Sequence, residues 1–210
     1  MRRATHSAEG RQSPVVSVHL PARREREGIA GGYLLLYLLS ENLVATHAFI
    51  ARAQMLSEIQ WETPRAADKW TPRQEAQHLI LTFGFFTDAV LGHHELALQV
   101  SPERSQALYA TVMPKLRAGE PLPTGVRTQA DADPTTAAQI SADDRDTVLR
   151  ALASAGHAFH TALVVSSTVE GRRVQHPYFG LISIEEFSIF AAAHTRHHMN
   201  FLPTVPSPAG

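Results

Sequence analysis

Histidine is the residue type in this chain whose pattern could support chemistry. The 210 residues include 12 histidines and no cysteine, so thiolate metal sites and a cysteine nucleophile are excluded. His194 and His198 fall on a repeat of three and four residues whose other members are apolar: Ile184, Phe187, Ala191 and Phe201. Such a repeat predicts the buried face of a helix. Both rings are therefore expected on the core side of the last helix.

A divalent cation would explain why two imidazoles lie on an apolar face. Residues i and i+4 of a helix lie side by side, with Cβ atoms about 6 Å apart, so His194 and His198 can reach one ion. Burying their nitrogens without partners would cost free energy. A third ligand must come from another segment, and His78, about two turns inside a well-capped helix and next to Leu79, is the best candidate.

We predict a metal site at His78, His194 and His198, with no residue assigned a catalytic role. Three imidazoles leave one position of Zn²⁺ open for water or substrate. Zn²⁺ is the expected ion and Ni²⁺ an alternative; Cu²⁺ and Fe²⁺ also accept imidazole, and affinity alone does not choose among them.

The other histidines and Glu75 are not assigned as ligands of the predicted metal site. His197 falls off the apolar face and is assigned to its flank, and His47, on the apolar repeat of the first helix, is a candidate neighbour of the site. Whether either joins the site is left open. Glu75, one turn before His78, is interpreted as a solvated first-turn residue that favours the helix dipole. The remaining histidines are assigned to solvent, a polar flank, loops or the N-terminal arm: His93, His94, His157, His160, His176, His6 and His19.

Four helical segments must position these rings. The first is predicted over 31–59, with the apolar stripe Leu36, Leu39, Leu43, His47 and Ile50. The second runs over 72–91 behind the capping box of Thr71 and Gln74, the third over 142–168 behind a Ser141 cap, and the fourth begins at the capping box of Ser183 and Glu186. Pro203 marks its end.

The segments between these helices carry no convincing strand pattern. The linker 60–70 follows the first helix, and a loop is predicted over 170–183. Residues 102–140 hold five prolines and form a long connection, with a short helix predicted over 103–112. Four helices with one long connection predict an all-α, antiparallel four-helix bundle.

Composition and segment lengths limit the remaining function classes. A 44% hydrophobic content excludes disorder of the whole chain, and a net charge of −1 gives no general attraction to nucleic acid. The apolar run 33–39 is too short to cross a bilayer. We predict a cytoplasmic protein without membrane or nucleic-acid partners, with a flexible, poorly ordered N-terminal arm over 1–28, one domain over 29–205 and a tail over 206–210.

Two ordered motifs resemble one known family. The segment Trp70–Leu79 (WTPRQEAQHL) is similar to the opening of the second helix of the DinB-like, or YfiT-like, metalloenzymes. HPYFG at 176–180, the capping box at 183–186 and AHTRHH at 193–198 resemble the approach to their last helix. The resemblance covers about 34–202, with the middle loop unmatched.

The resemblance implies a four-helix bundle that binds a divalent metal near one end, through residues that match His78, His194 and His198. It also implies a homodimer. Some members of the family are thiol transferases or isomerases that use low-molecular-weight thiols such as bacillithiol or mycothiol. Many relatives have glutamine three residues after the last ligand, where this chain has Phe201, so the resemblance does not extend to that polar contact.

Three functions remain open from the sequence. The first is a divalent-metal-dependent enzyme, a thiol S-transferase or a hydrolase, that acts on a small molecule. The second is a non-catalytic stress-response bundle that binds metal or a small ligand. The third is a structural module whose histidines hydrogen-bond to one another without metal.

Overall fold

Six helices and one β-hairpin make up the described part of the chain. A computed structural model describes residues 23–123, 132–135 and 144–204, with side chains from Leu36 onward. In chain order the elements are α1 (Arg23–Gln54), α2 (Glu58–Glu62), α3 (Pro72–Leu91), α4 (Pro102–Arg117), α5 (Arg145–Ser167), β1 (Arg173–His176), β2 (Gly180–Ser183) and α6 (Ile184–Met199). The predicted, mostly helical fold is confirmed.

The two helices that carry the predicted ligands begin as their sequences indicate. The Thr71 side chain accepts a hydrogen bond from the backbone of Gln74, whose side chain returns one to the Thr71 N–H. Ser183 and Glu186 make the same reciprocal pair ahead of α6. Each capping box satisfies two backbone donors that a helix start leaves open, which fixes where α3 and α6 begin.

The long helices bury one shared apolar core. α1 packs along α6 and α5, α3 packs along α5, and α4 lies on α6 beside the hairpin. Phe49 of α1, Phe83 of α3, Phe159 of α5 and Phe187 of α6 are buried in this core. Because their rings are large, these side chains supply much of the apolar area that packing removes from water.

The predicted loop over 170–183 contains a short antiparallel hairpin, so the prediction of no strands was wrong there. Val174 pairs with Ile182, and both side chains are buried. Gly180 has φ +69°, and a Cβ atom at this position would lie 3.2 Å from Ser105 Oγ. Glycine is therefore favoured where β2 begins. With four residues in each strand, the alternation was too short to be distinguished from a loop.

Other boundaries also differ from the predicted ones. α1 begins at Arg23 and ends at Gln54; α2, capped by Ser57, then occupies part of the predicted linker and buries Trp61. α4 is longer than predicted and runs through Pro114. α5 is capped by Asp144, whereas the predicted cap Ser141 lies outside the described residues.

The buried face of α1 was predicted correctly only in part. Leu39 is buried as predicted, but Leu36 and His47 are exposed, and the core side also contains Asn42, Thr46 and Phe49. Asn42 donates to the carbonyl of Gly156, and the hydroxyl of Thr46 donates to the carbonyl of Asn42. Since two polar residues occupy core positions, an apolar repeat alone gave the wrong rotation of the helix.

One described helix, α5, is long and apolar enough to meet a length-and-composition test for crossing a membrane. It packs against α1 and α3 and buries Leu152, Phe159 and Leu163, which is typical of a core helix. The absence of a membrane partner stays a prediction. Most of the predicted arm, 1–22, and the tail 206–210 lie outside the described residues.

Candidate metal centre

α3 supplies one face of the candidate centre. Glu75, His78 and Thr82 follow each other at three- and four-residue spacing, so they lie on one side of the helix. All three side chains are buried. The apolar residues Leu79 and Phe86 are buried on the same side of α3. The three polar side chains therefore extend into the core.

α6 supplies the other face. His194 and His198 lie one turn apart near the carboxyl end of the helix; His198 is buried and His194 is partly exposed. Trp70, just before α3, covers the site: its ring centroid lies 5.0 Å from that of His78 and 6.2 Å from that of His198. The rings are therefore held between two helices and under an indole.

The three predicted ligands come together. His194 Nε2 lies 3.3 Å from His78 Nε2 and 3.1 Å from His198 Nε2. One ligand atom from each ring lies within 4.8 Å of the others. Two nitrogens bonded to one Zn²⁺ at 2.0–2.1 Å and a tetrahedral angle are about 3.3–3.4 Å apart, so the observed separations fit a shared cation.

The outward nitrogens of two rings are held by acceptors. His78 Nδ1 lies 2.7 Å from the carbonyl oxygen of Ala132, so Nδ1 carries the hydrogen and donates it. His198 Nδ1 lies 2.6 Å from Glu75 Oε2. When His198 Nε2 acts as a ligand, its hydrogen is on Nδ1, where Glu75 is placed to accept it. Histidines that bind metals are held in this way, by a carbonyl or a carboxylate on the second nitrogen.

Burial keeps the imidazoles in the neutral form that can ligate. It lowers the pKa of His78 to about 4, and together with the neighbouring rings it lowers the pKa of His194 and His198 well below the ordinary value. Burial also raises the pKa of Glu75 to about 8, against a smaller lowering by Arg65. The direction of each pKa shift follows from the free-energy cost of placing a charge in a poorly solvated site.

Glu75 is the residue whose role the sequence interpretation missed. Instead of facing solvent it is 3% exposed and contacts His198. A signal was available, because Glu75 lies three residues before His78 and four before Leu79, on the face already identified as buried. Ala132, in the long connection, could not have been found, since a carbonyl is present in every residue.

The other histidines lie apart from the three-ring group. His47 is exposed and its ring lies 5.6 Å from that of His157, on a different part of α1 and α5. His197 is partly buried on the flank, with its ring 5.5 Å from that of His198. Neither belongs to the group of potential ligands. His93, His94 and His157 are exposed, as predicted, and His160 is partly buried.

Phe201 places an aromatic ring beside the site, at the position where the resemblance predicts a glutamine. Its ring meets those of His197 and His198 edge to face, at 4.6 and 5.7 Å between centroids, and the Arg65 guanidinium lies 3.8 Å from its centre on the other side. Edge-to-face and cation–π contacts therefore close this side of the site.

A cavity of about 140 Å³ adjoins two of the three rings, those of His78 and His194. His78, His194 and His197 line it together with aromatic and aliphatic side chains such as Phe86, Phe190 and Leu108. A concave, mostly apolar site with a few polar groups is typical of small-molecule binding. His176, predicted to be a loop residue, is buried and lines the same cavity.

Comparison with known proteins gives one family. The sequence model of the DinB superfamily matches residues 43–202, which is more than half of the chain. No significant match was found among curated proteins or among solved structures.

Proposed function

The chain belongs to the DinB superfamily, a metal-associated family, and from this premise we propose that it is a divalent-metal-dependent enzyme acting on a small molecule. His78, His194 and His198 would hold the cation. Zn²⁺ is the expected ion because three imidazoles with an open position suit it, with Ni²⁺ as the alternative.

One observation carries the proposal. The inner nitrogens of three rings from two helices face a common point, while the outer nitrogens of His78 and His198 contact Ala132 and Glu75. A merely structural cluster would need no such division of roles between the two nitrogens of His78 and of His198. The hydrogen bonds orient both rings toward the point where an ion would be bound.

The protein's own groups have defined tasks in this proposal. Glu75 holds a proton at His198 Nδ1, and the Ala132 carbonyl does the same at His78 Nδ1, so each Nε2 lone pair points inward. A bound cation supplies Lewis acidity and lowers the pKa of a water or thiol that it contacts. The apolar walls of the adjoining cavity exclude water from the substrate.

The reaction class follows from that chemistry. A thiol activated at the centre would support S-transfer to an electrophile, and an activated water would support hydrolysis. We propose a thiol S-transferase, with a low-molecular-weight thiol as partner, or a hydrolase. Glu75 is already engaged with His198, so we assign no general acid or base.

The proposed enzyme is a four-helix bundle that assembles as a homodimer. We propose that α1, α3, α5 and α6 form an antiparallel four-helix bundle, which their mutual contacts support. We also propose a homodimer that pairs through α1. Tyr37 and Val44, two turns apart on one face, are 62% and 56% exposed and would be covered by a second copy.

Metal content tests the site. The full chain, purified without an affinity tag, is expected to hold about one divalent ion per chain by elemental mass spectrometry. His194→Ala should lose most of that metal, because two imidazoles bind far more weakly than three. His47→Ala is the matched control, since His47 is an exposed histidine on another face. Equal metal in wild type and His194→Ala would contradict the site.

Turnover separates an enzyme from a protein that binds metal without catalysis. Thiols are screened against small electrophiles, and esters and amides are screened for hydrolysis. The proposal expects a rate that chelation abolishes and Zn²⁺ restores. Metal bound at His194 with no turnover of any pair would favour the non-catalytic bundle instead.

A further inference from the structure

The hydroxyl of Thr82 is directed differently from those of other threonines in the helices. Thr82 lies on α3, one turn after His78, and is 5% exposed. A helical threonine commonly donates to the carbonyl oxygen four residues earlier. Five described threonines do so at 2.7–3.0 Å: Thr46, Thr87, Thr111, Thr161 and Thr195. The Thr82 hydroxyl instead has one hydrogen-bond partner among the described residues, His78 Nε2 at 3.4 Å.

This contact places the Thr82 hydroxyl on the ligating side of the His78 ring. His78 Nδ1 donates its hydrogen to the Ala132 carbonyl, so Nε2 carries the lone pair and Thr82 is the donor. A donor approaches a ring nitrogen along its lone pair, which is also the direction from which a cation binds. The hydroxyl and a cation therefore compete for one electron pair. At 3.4 Å the contact is longer than the roughly 2.5–3.0 Å usual for hydroxyl donors to oxygen, so a cation would replace a weak hydrogen bond.

A cation on His78 leaves the Thr82 hydroxyl without its acceptor. Thr82 is buried, and no other described residue accepts from its hydroxyl. A buried donor without an acceptor costs free energy. Thr82 also lines the cavity that adjoins His78 and His194, so it lies where the candidate metal centre and the cavity meet. A molecule that reaches the cation from the cavity would bring a new acceptor to this hydroxyl.

We propose that Thr82 positions the molecule that takes the open place on the cation, by donating its hydroxyl hydrogen to the atom that binds there. This inference rests on the proposed function, because it requires a cation at His78, His194 and His198. It also specifies the class of molecule. The binding atom must keep a lone pair after it coordinates, as sulfur and oxygen do and a pyridine nitrogen does not. A thiolate sulfur meets this condition, with its apolar substituent in the cavity.

Two aromatic probes test the proposal on the cobalt-loaded full chain. Benzenethiol binds through sulfur, which retains lone pairs, whereas pyridine binds through a nitrogen whose only available lone pair goes to the metal. Both are close in size to benzene, which fits apolar cavities of about 150 Å³, and the cavity here measures about 140 Å³. Co²⁺ accepts imidazole ligands, and its visible absorption changes when another ligand binds. Anaerobic titration of each probe therefore gives a dissociation constant.

Three variants isolate the hydroxyl. Thr82→Val keeps the shape of the side chain without the donor and is expected to bind benzenethiol about fivefold more weakly, the usual effect of one hydrogen bond, with its affinity for pyridine unchanged. Thr82→Ser restores a hydroxyl and should recover most of the affinity for benzenethiol. Thr87→Val is the matched control, because Thr87 lies on the same helix and its hydroxyl donates to the Phe83 carbonyl. Circular dichroism checks folding, and Thr82→Ala replaces a Thr82→Val that does not fold.

Four other outcomes would count against these proposals. Unchanged affinity for both probes in Thr82→Val overturns the inference, because the hydroxyl would then turn to the His78 carbonyl when the cation binds. An equal loss for both probes overturns it as well, since that result indicates altered packing, and loss of cobalt from Thr82→Val would make Thr82 a metal ligand instead. Wild type that binds no cobalt contradicts the proposed function together with this inference. The expected probe pattern without any turnover contradicts the proposed enzyme alone.

Discussion

Glu75 and Glu186 are two buried carboxyl groups in the first turns of α3 and α6, and they have opposite surroundings. They are 3% and 4% exposed. Glu186 accepts hydrogen bonds from the Tyr109 hydroxyl at 2.6 Å, from the Ser183 backbone N–H at 2.8 Å and from Arg117. Glu75 instead meets His198 of the candidate metal centre.

The pKa shifts of the two groups reflect these neighbours. Burial acts to raise the pKa of Glu186, but Tyr109, Ser183 and Arg117 together lower it below the ordinary value. At Glu75 burial dominates, and the pKa is raised to about 8. Equal burial therefore does not imply an equal role: Glu186 fastens α4 to α6 as a carboxylate, whereas the raised pKa of Glu75 reflects the lack of a group in the protein alone that would balance its charge. A divalent cation on His198 would balance it.

The largest effect is expected for Glu75→Gln on Zn²⁺ affinity. The amide keeps the size of the side chain but removes the charge that supports His198, and loss of such a contact typically weakens metal binding by 10- to 100-fold. Competition with a chromophoric chelator measures the dissociation constant. Glu186→Gln, an identical change in the other carboxyl group, is the control and should leave the affinity unchanged. Equal affinities in all three proteins would remove the distinction between the two groups.

A smaller effect is expected for Glu186→Gln on stability. The neutral side chain loses charge-assisted hydrogen bonds from Tyr109 and Arg117, and Arg117 is half exposed. We expect a loss of about 1–2 kcal/mol in the free energy of unfolding, measured by urea unfolding of metal-free protein. Glu75→Gln should change it less in the same metal-free protein. A larger loss for Glu75→Gln would show that Glu75 is the structural group.

The smallest expected effect is a pH dependence of the difference in unfolding free energy between wild type and Glu186→Gln. Because the native pKa of Glu186 lies below its ordinary value of 4.5, the stability that the carboxylate contributes is present above pH 4.5 and is lost as the pH falls through the native pKa. The gap between wild type and Glu186→Gln should therefore narrow between neutral pH and about pH 3.5. For Glu75, with its raised pKa, acid favours the native wild type instead. A gap for Glu186→Gln that widens in acid would contradict the assignment.

The candidate site was largely predictable because helical spacing is a geometric rule. His194 and His198 had to lie on one side of α6, and the capping box of Thr71 and Gln74 fixed the start of α3, whose apolar stripe beginning at Leu79 indicated that His78 faces inward. Their partners were harder to predict. An acidic residue in a first turn is favourable in water as well as in a core, so Glu75 gave no distinctive signal by type. His176 depended on a hairpin of only four residues in each strand.

The rotation of α1 shows a different limit of sequence analysis. Thr46 faces the core because Gly156 lets the two helices approach: a Cβ atom at position 156 would lie 3.1 Å from the Thr46 side chain. That pairing joins residues far apart in the chain, and neither residue type identifies the other. A pattern that counts apolar side chains therefore places Leu36 inward in error.

The partner of His78 is a main-chain carbonyl in the connection between α4 and α5. That oxygen does not depend on the functional group of the side chain at position 132, which is 6% exposed and lines the cavity. Any residue small enough for this buried space could therefore hold the His78 ring in the same orientation. Selection at this position is expected to act on side-chain volume and on the place of the backbone.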